Sequence, residues 1–354
     1  MRSSHFAGGP SALAGVNGGF DDARIDAALA PLGPMRATLI AVSGGPDSTA
    51  LLLMAADWAK RQGGNIGVAT VDHRLRPEGG AEAEAVAALC QKLGVPHKTL
   101  VWTGPKPSTR VQERAREARY RLLVSHARAI RADAIVTAHH ADDQAETVLI
   151  RLLRGSGIAG LRGMEPKGVR DGVAIVRPFL DVPKADLVAF CHAKGVGFVD
   201  DPSNADARYA RAALRPLLAR LAEEGLDRDA LLRLARRAGE ADKAIASAAT
   251  ELEARLGARG PIDARALFAA PIAVVQRVLA RRLSEVGGRD ASRIGLEKIE
   301  ALALALADAL SEGRAFRANV GGAIASLSAK GALDFAPEPP RRGAGASSVA
   351  GKRV

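Results

Sequence analysis

Cysteine is nearly missing: the 354 residues hold two, Cys90 and Cys191, far apart and in no CxxC pair. That argues against a disulfide framework, a structural zinc site and an iron–sulfur cluster. Both cysteines lie in apolar stretches of helical character and are expected as small core residues. Aromatic residues make up only 3% of the chain, so its apolar content is mostly Ala, Leu and Val. No apolar run approaches the roughly 20 residues of a membrane-spanning helix. The N-terminal MRSSHFAGGPSALAGVNGG lacks the continuous apolar stretch of a signal peptide. A soluble, cytoplasmic protein without membrane association is expected. The pattern G-x-x-x-x-G-K-[ST] is also absent, which excludes the common P-loop. There is no internal repeat.

Positive charge, by contrast, is in excess. Fifty Lys and Arg stand against 39 Asp and Glu, a formal net charge of +11. Such a balance suits a polyanionic partner, because each neutralised phosphate releases condensed counterions. The length suits two domains, since single cores stop growing at about 250–300 residues.

Residues 1–20 are rich in Gly, Ser and Ala and read as a flexible leader. From residue 37 short apolar runs alternate with amphipathic stretches. Strands are expected at 37–42, 66–71, 98–102 and 134–138, and helices at 47–60, 81–93, 111–130, 142–154 and 183–194. Strands alternating with helices imply a doubly wound α/β domain with a parallel sheet, expected over 21–216. A smaller, mainly helical, Arg-rich domain is expected over 217–336, followed by a disordered tail over 337–354. In a doubly wound sheet ligands bind beyond the carboxyl ends of the strands. Three polar motifs fall there, each directly after a strand: Ser43 to Ser48, Asp72 to Arg76, and His139 to Asp143.

SGGPDS is the strongest of these. A strand turning through Gly44 and Gly45 into a helix offers backbone N–H groups and a positive helix end to an anion. Ser43 and Ser48 add hydroxyls, and Asp47 can hold a metal ion or cap the helix. In the third motif Asp142, Asp143 and Glu146 put three carboxylates within about one helical turn. They can hold Mg²⁺, bind a cation or accept a proton, or simply favour the helix dipole.

SGGxDS resembles the pyrophosphate loop of the N-type ATP pyrophosphatases, which split ATP between its α- and β-phosphates. VDHRLRPEG (71–79), AREARY (115–120), TAHHADDQAETVLIRLLRGSGIAGLRGM (137–164), RPFL (177–180) and DPSNADARYARAALR (201–215) narrow the likeness. In that order they resemble the signatures of the tRNA(Ile)-lysidine synthetase family. The resemblance implies an adenine nucleotide alpha hydrolase-like fold, ATP as substrate, Mg²⁺, free L-lysine, and an isoleucine tRNA with a CAU anticodon. The wobble cytidine would be adenylated at its C2 carbonyl, and the lysine side-chain amine would then displace AMP.

It also implies residue roles. Ser43, Gly44, Gly45, Pro46, Asp47 and Ser48 would bind ATP, with Asp47 and Asp143 at the metal. Asp47, Arg116, His140, Asp143 and Glu146 would be catalytic, Arg116 against the phosphates. Asp72, His73, Arg76, Arg151, Arg154, Arg162, Asn204, Arg211 and Arg215 would contact substrate or tRNA, with Asp72 alternatively capping its loop. At Arg211 the chain departs from the family pattern: Ala212 stands where Asn is usual. Arg233, Arg236, Arg237, Arg281 and Arg282 are candidate phosphate contacts in the helical region. The competing readings are another pyrophosphatase acting on tRNA, such as a thiolase, and a non-catalytic tRNA-binding protein. The cysteines disfavour the thiolase, and the intact loop disfavours a decayed site. The oligomeric state, homodimer included, is left open.

Overall fold

The computed structural model describes residues 19–33, 35–199, 210–257, 260–288 and 294–339, with backbone alone at 210–213. Two compact units emerge: residues 1–155 with 160–236, and residues 156–159 with 237–354.

The first unit is built in chain order from α1 (Asp22–Leu29), β1 (Thr38–Ala41), α2 (Pro46–Gln62), β2 (Ile66–Asp72), α3 (Gly79–Leu93), β3 (His97–Val101), α4 (Val111–Ala129) and β4 (Ala134–Val136). It continues through α5 (Ala141–Leu153), the second half of α6 (Ile158–Leu161), β5 (Lys167–Arg170), β6 (Val173–Val176), α7 (Lys184–Ala193), α8 (Ala210–Glu223) and the start of α9 (Arg228–Leu256). The six-stranded sheet has the order β3-β2-β1-β4-β6-β5. All neighbours are parallel except β5, which runs antiparallel to β6 along one edge.

The apolar runs become strands because both faces of the sheet are covered. On one face Ile40 and Val42 pack against Leu51, Leu52 and Met54 of α2 and Phe190 of α7. On the other, Leu39 and Ala41 pack against Leu123, Val124 and Ala127 of α4. Alternate residues of β1 thus serve opposite cores, as the two-residue period of a strand requires. The chain winds outward from β1 through β2 to β3, then returns to β4 on the other side of β1. The β1/β4 boundary is therefore the topological switch point, beyond whose carboxyl ends doubly wound sheets bind their ligands. Ser43–Ser48 follows β1, and His139–Asp143 follows β4.

The expected boundary at 216/217 falls inside α8. That helix presents Leu214, Leu218 and Leu221 to Ala145, Val148 and Leu149 of α5, with Leu231 and Ala235 of α9 in the same cluster. This packing carries the first unit on to Arg236. The leader stops short of its expected end, since Phe20 is buried against Phe179 and Phe190. The rest of it, and all but the start of the tail, lie outside the described residues.

The second unit takes the remainder of α9 with β7 (Ile262–Asp263), α10 (Ala264–Phe268), α11 (Ile272–Gly287), α12 (Leu296–Ser311), β8 (Phe316–Val320), β9 (Ala323–Leu327) and β10 (Ala332–Pro337). Its helices were expected; its four-stranded antiparallel sheet, ordered β7-β10-β9-β8, was not. Strands such as AIASL and ALDFAP carry few β-branched or aromatic residues, so little in them signals a sheet. Val275, Val278, Leu279, Leu302 and Leu306 of α11 and α12 share one core with Ala325, Leu327 and Leu333. Among the described residues no helix is long and apolar enough to cross a membrane.

Candidate active site

The β1–α2 turn is a self-bonded cradle. The Ser43 N–H donates to Ser48 Oγ at 3.1 Å, the two serine hydroxyls stand 3.2 Å apart, and the Ser48 hydroxyl donates to the Gly45 carbonyl at 3.1 Å. Gly44 sits at φ +91°, which an L-side chain rarely adopts. Its carbonyl accepts the Val199 N–H at 2.9 Å and the Thr49 hydroxyl at 3.3 Å. Beneath the loop, the Cys191 thiol donates to the Pro46 carbonyl at 3.4 Å. Burial, with the Asp47 charge, pushes that thiol up to about 11, so it keeps its proton. Gly45 is the N-cap of α2, and Pro46 opens the first turn, where its missing N–H costs nothing. Asp47 follows, at the positive end of the helix.

The β4–α5 turn supplies the opposite wall. His140 is the N-cap of α5: its Nδ1 accepts the Asp143 N–H at 3.3 Å, while Asp143 Oδ2 accepts the His140 N–H at 3.2 Å. This reciprocal capping box fixes the imidazole with its Nε2 edge toward two carboxylates. His140 Nε2 lies 3.5 Å from Asp47 Oδ2 and 3.5 Å from Asp143 Oδ2. Burial alone would lower the imidazole pKa. The contact with Asp47 and the charges of Asp143, Asp47 and Asp142 outweigh it, and the net shift is upward.

Asp142 has a different task. Its Oδ2 accepts the Lys184 N–H at 2.9 Å, tying the start of α7 to that of α5, and its Oδ1 lies 3.9 Å from Arg228. Glu146 is buried one turn along, with Arg215 Nε at 3.2 Å from its Oε1. The last sequence motif thereby reaches the acidic helix. His139 places Nδ1 2.8 Å from the Thr137 hydroxyl.

The β2 motif folds chiefly on itself. Buried Asp72 accepts the Arg74 N–H at 2.8 Å, capping the loop, and Arg76 pairs with Glu82 at 3.2 Å. Asp72, Arg74, Leu75, Arg76, Pro77 and Gly80 line a cavity of about 480 Å³. His73 packs edge-on to Trp102 at 6.0 Å. Its pKa is lowered by burial and by Arg119 and Lys106, against the opposing pull of Asp72. Arg116 is exposed near the start of α4, with its guanidinium 5.3 Å from the Tyr120 ring centroid. Arg170 approaches the same ring at 4.6 Å. Because α4 follows β3, it starts at the carboxyl edge of the sheet, and Arg116 lies toward that edge.

A family model described as a PP-loop domain matches residues 21–221. The tRNA(Ile)-lysidine synthase of Methylobacterium nodulans is 52% identical over 326 residues, covering 90% of this chain and 95% of that protein. That of Rhodopseudomonas palustris is 47% identical, covering 87% and 92%. The chain belongs to the tRNA(Ile)-lysidine synthase family. A solved structure, the U34-tRNA thiolase NcsA from Methanococcus maripaludis with its [4Fe-4S] cluster, shares the fold. Its TM-score is 0.52 at 14% identity, covering 61% of this chain and 77% of that one. In this lysidine synthase family member both cysteines are free and buried.

The basic residues divide by what their guanidinium groups already hold. Arg154, the C-cap of α5, is exposed, and Arg162 is exposed beside Glu165 at 3.1 Å. Arg151, expected at tRNA, donates from one guanidinium nitrogen to the carbonyls of Gly160 and Gly163. Two of the later arginines are likewise taken up inside the second unit. Arg282 is buried and donates to the Gly257 carbonyl, and Arg281 pairs with Glu253 at 2.7 Å. Arg233, Arg236 and Arg237 remain exposed on one side of α9. Asp201, Ser203 and Asn204, and the side chain of Arg211, lie outside the described residues. Sequence reasoning missed Gln144, Cys191 and Val199. Their contacts join segments distant in sequence, and no local pattern marks them.

Proposed function

We propose that this chain carries out its family's reaction with the β1–α2 loop as the ATP site and the first turn of α5 as the lysine site. The chemistry is ATP-dependent ligation of free lysine to C2 of the wobble cytidine of tRNA(Ile) with a CAU anticodon. The observation that carries the assignment is His140 Nε2 at 3.5 Å from both Asp47 and Asp143, one carboxylate from each wall.

Ser43, Gly44, Gly45 and Ser48 cradle the phosphates at the N-terminus of α2, where backbone N–H groups and the dipole favour anions. In the first step the cytidine C2 oxygen attacks the α-phosphorus and pyrophosphate leaves. Arg116, toward the carboxyl edge of the sheet, offsets negative charge on the phosphoryl group. In the second step the lysine side-chain nitrogen attacks C2 and AMP leaves with the C2 oxygen. Free lysine arrives protonated, so Asp143 and Glu146 bind its ammonium and Asp143 takes the proton. The imidazole of His140 lies between Asp47 and Asp143, where its Nε2–H moderates the repulsion of the two carboxylates.

Asp47 Oδ1 is buried and accepts no hydrogen bond, which leaves a hard oxygen donor for Mg²⁺. Among the described residues no three His, Cys, Asp or Glu side chains form a metal-holding group. Asp47 would hold the cation, and phosphate oxygens and water would complete its shell, which leaves Asp143 to the lysine amine. When bound, the ion neutralises phosphate charge.

Incubating the purified protein with ATP, Mg²⁺, radiolabelled lysine and tRNA(Ile) transcript tests this reading. Label should enter that tRNA and not a methionine tRNA with the same anticodon. Pyrophosphate release without label would move the nucleophile elsewhere, and neither product would leave only a binding protein.

A further inference from the structure

The segment after α5 is held against the helix by the helix's own side chains. Gln144, buried on α5, donates its amide N–H to the Met164 carbonyl at 2.9 Å and accepts the Met164 N–H at 2.7 Å. Arg151, further along the same helix, donates to the carbonyls of Gly160 at 2.7 Å and Gly163 at 2.6 Å. Gly163 sits at φ +74°, and a Cβ there would stand 2.7 Å from the Gln144 carboxamide. The amide therefore occupies the space any side chain would need. From the β6 side, Arg177 donates to the Glu165 carbonyl at 2.8 Å. Backbone groups of Gly160, Gly163, Met164 and Glu165 are thus each held by a side chain.

We propose that Gln144 and Arg151 are positioning residues for tRNA. They hold residues 160–165 so that Arg162 projects at a set place relative to α5, the helix that also carries His140 and Asp143 in its cap and first turn. This rests on the reading of Arg162 as a tRNA contact. An unanchored loop would have to be ordered on binding, at a cost in conformational entropy, and the clamp removes that cost beforehand. Because the clamp and the acidic turn share one helix, docking of tRNA at Arg162 is registered to the catalytic groups.

The test is steady-state kinetics with Gln144→Met, which keeps side-chain volume and loses both hydrogen bonds. KM for tRNA should rise roughly tenfold, while KM for ATP and for lysine stay within about twofold. In an Arg162→Ala background the increment from Gln144→Met should vanish, because the two act as one unit. A rise shared equally by all three substrates, or increments that simply add, would overturn the clamp as a positioning device. Should Arg162→Ala alone leave the tRNA KM unchanged, the reading of Arg162 falls and the clamp's role with it. If Gln144→Met does not fold, Gly163→Ala breaks the same contact from the loop side and carries the same expectations.

Discussion

Asp47 and His140 meet at 3.5 Å, although one belongs to the turn after β1 and the other to the turn after β4. The two strands are hydrogen-bonded neighbours at the switch point of the sheet, and that adjacency alone brings the turns together. The contact joins the glycine-rich turn after β1 to the acidic first turn of α5.

Replacing Asp47 separates chemistry from binding. Asp47→Asn keeps the side-chain shape while removing the charge that faces His140 and, on the proposed reading, weakening the oxygen donor offered to Mg²⁺. Pyrophosphate release should fall by about 10²–10³-fold, as when a preorganised electrostatic group is lost. Affinity for tRNA, measured by filter binding, should change less than about twofold, because phosphate contacts elsewhere dominate it. Turnover close to the parent's would remove Asp47 from the mechanism.

Gly44 tests the loop from the backbone side. At φ +91° a Cβ costs about 1–2 kcal/mol in the left-handed region. It would also stand 3.4 Å from Val199 and 3.5 Å from Val86, ordinary contact distances. Gly44→Ala should therefore lower stability modestly, seen as a small drop in Tm. ATP binding measured by calorimetry should fall much further, since the cradle's N–H groups are displaced. A drop in Tm with unchanged ATP affinity would mean the loop tolerates a shifted backbone and does not grip phosphate.

Much of this site is legible in the sequence, and the reason is locality. The apolar runs of β1 and β4 name the strands, and the residues that follow each strand must lie at its carboxyl end. SGGPDS and HHADDQAET therefore announce both the wall and the elements that carry it. What stays hidden is long-range. The Gln144–Met164 pair, Cys191 under Pro46 and Glu146 against Arg215 each join segments whose pairing only the folded topology creates. The second sheet is only partly hidden: FRANV alternates apolar and polar residues and meets AIASL across Gly321-Gly322, a hairpin signal, whereas AIASL and ALDFAP carry few strand-forming residues.

His73 sets a pH dependence whose sign can be worked out. Its folded pKa is lowered by burial, with Arg119 and Lys106 adding to the effect and Asp72 opposing it. Below the ordinary value of 6.5 the unfolded chain binds the proton more readily, so stability falls as pH drops through that value. The penalty saturates below the folded pKa and is absent at alkaline pH. His73→Gln cannot titrate, so its Tm relative to the parent should rise as the pH is taken from about 7.5 to about 5. A parent-minus-variant difference independent of pH would show that His73 is as easily protonated folded as unfolded.

In the second unit Asp242 is buried and paired with Arg277. Removing Arg277 takes one cation away from a buried carboxylate, at a cost of up to about 3–5 kcal/mol. Arg277→Met should accordingly lower the denaturation midpoint steeply, and Asp242→Leu added to it should recover a good part of the loss. Additive losses in the double variant, read from denaturant curves, would mean the two residues act separately.

The exposed arginines of α9 differ from those in the core of the second unit in having their side chains open to solvent. Arg233, Arg236 and Arg237 recur at three- and four-residue spacing, which places them along one side of the helix. A phosphate backbone meeting that side would release counterions in proportion to the number of phosphates neutralised. Changing all three to Gln should weaken tRNA binding and reduce the slope of log K against log salt by about 0.7–0.9 for each phosphate no longer neutralised. Sequence discrimination between isoleucine and methionine tRNAs should survive, because phosphate contacts position without reading bases. Arg282→Gln is the contrasting variant: its guanidinium is buried on the Gly257 carbonyl, so stability should fall with the salt slope unchanged. An unaltered slope in the triple variant would take α9 off the RNA-binding surface and leave its arginines as a solvated face.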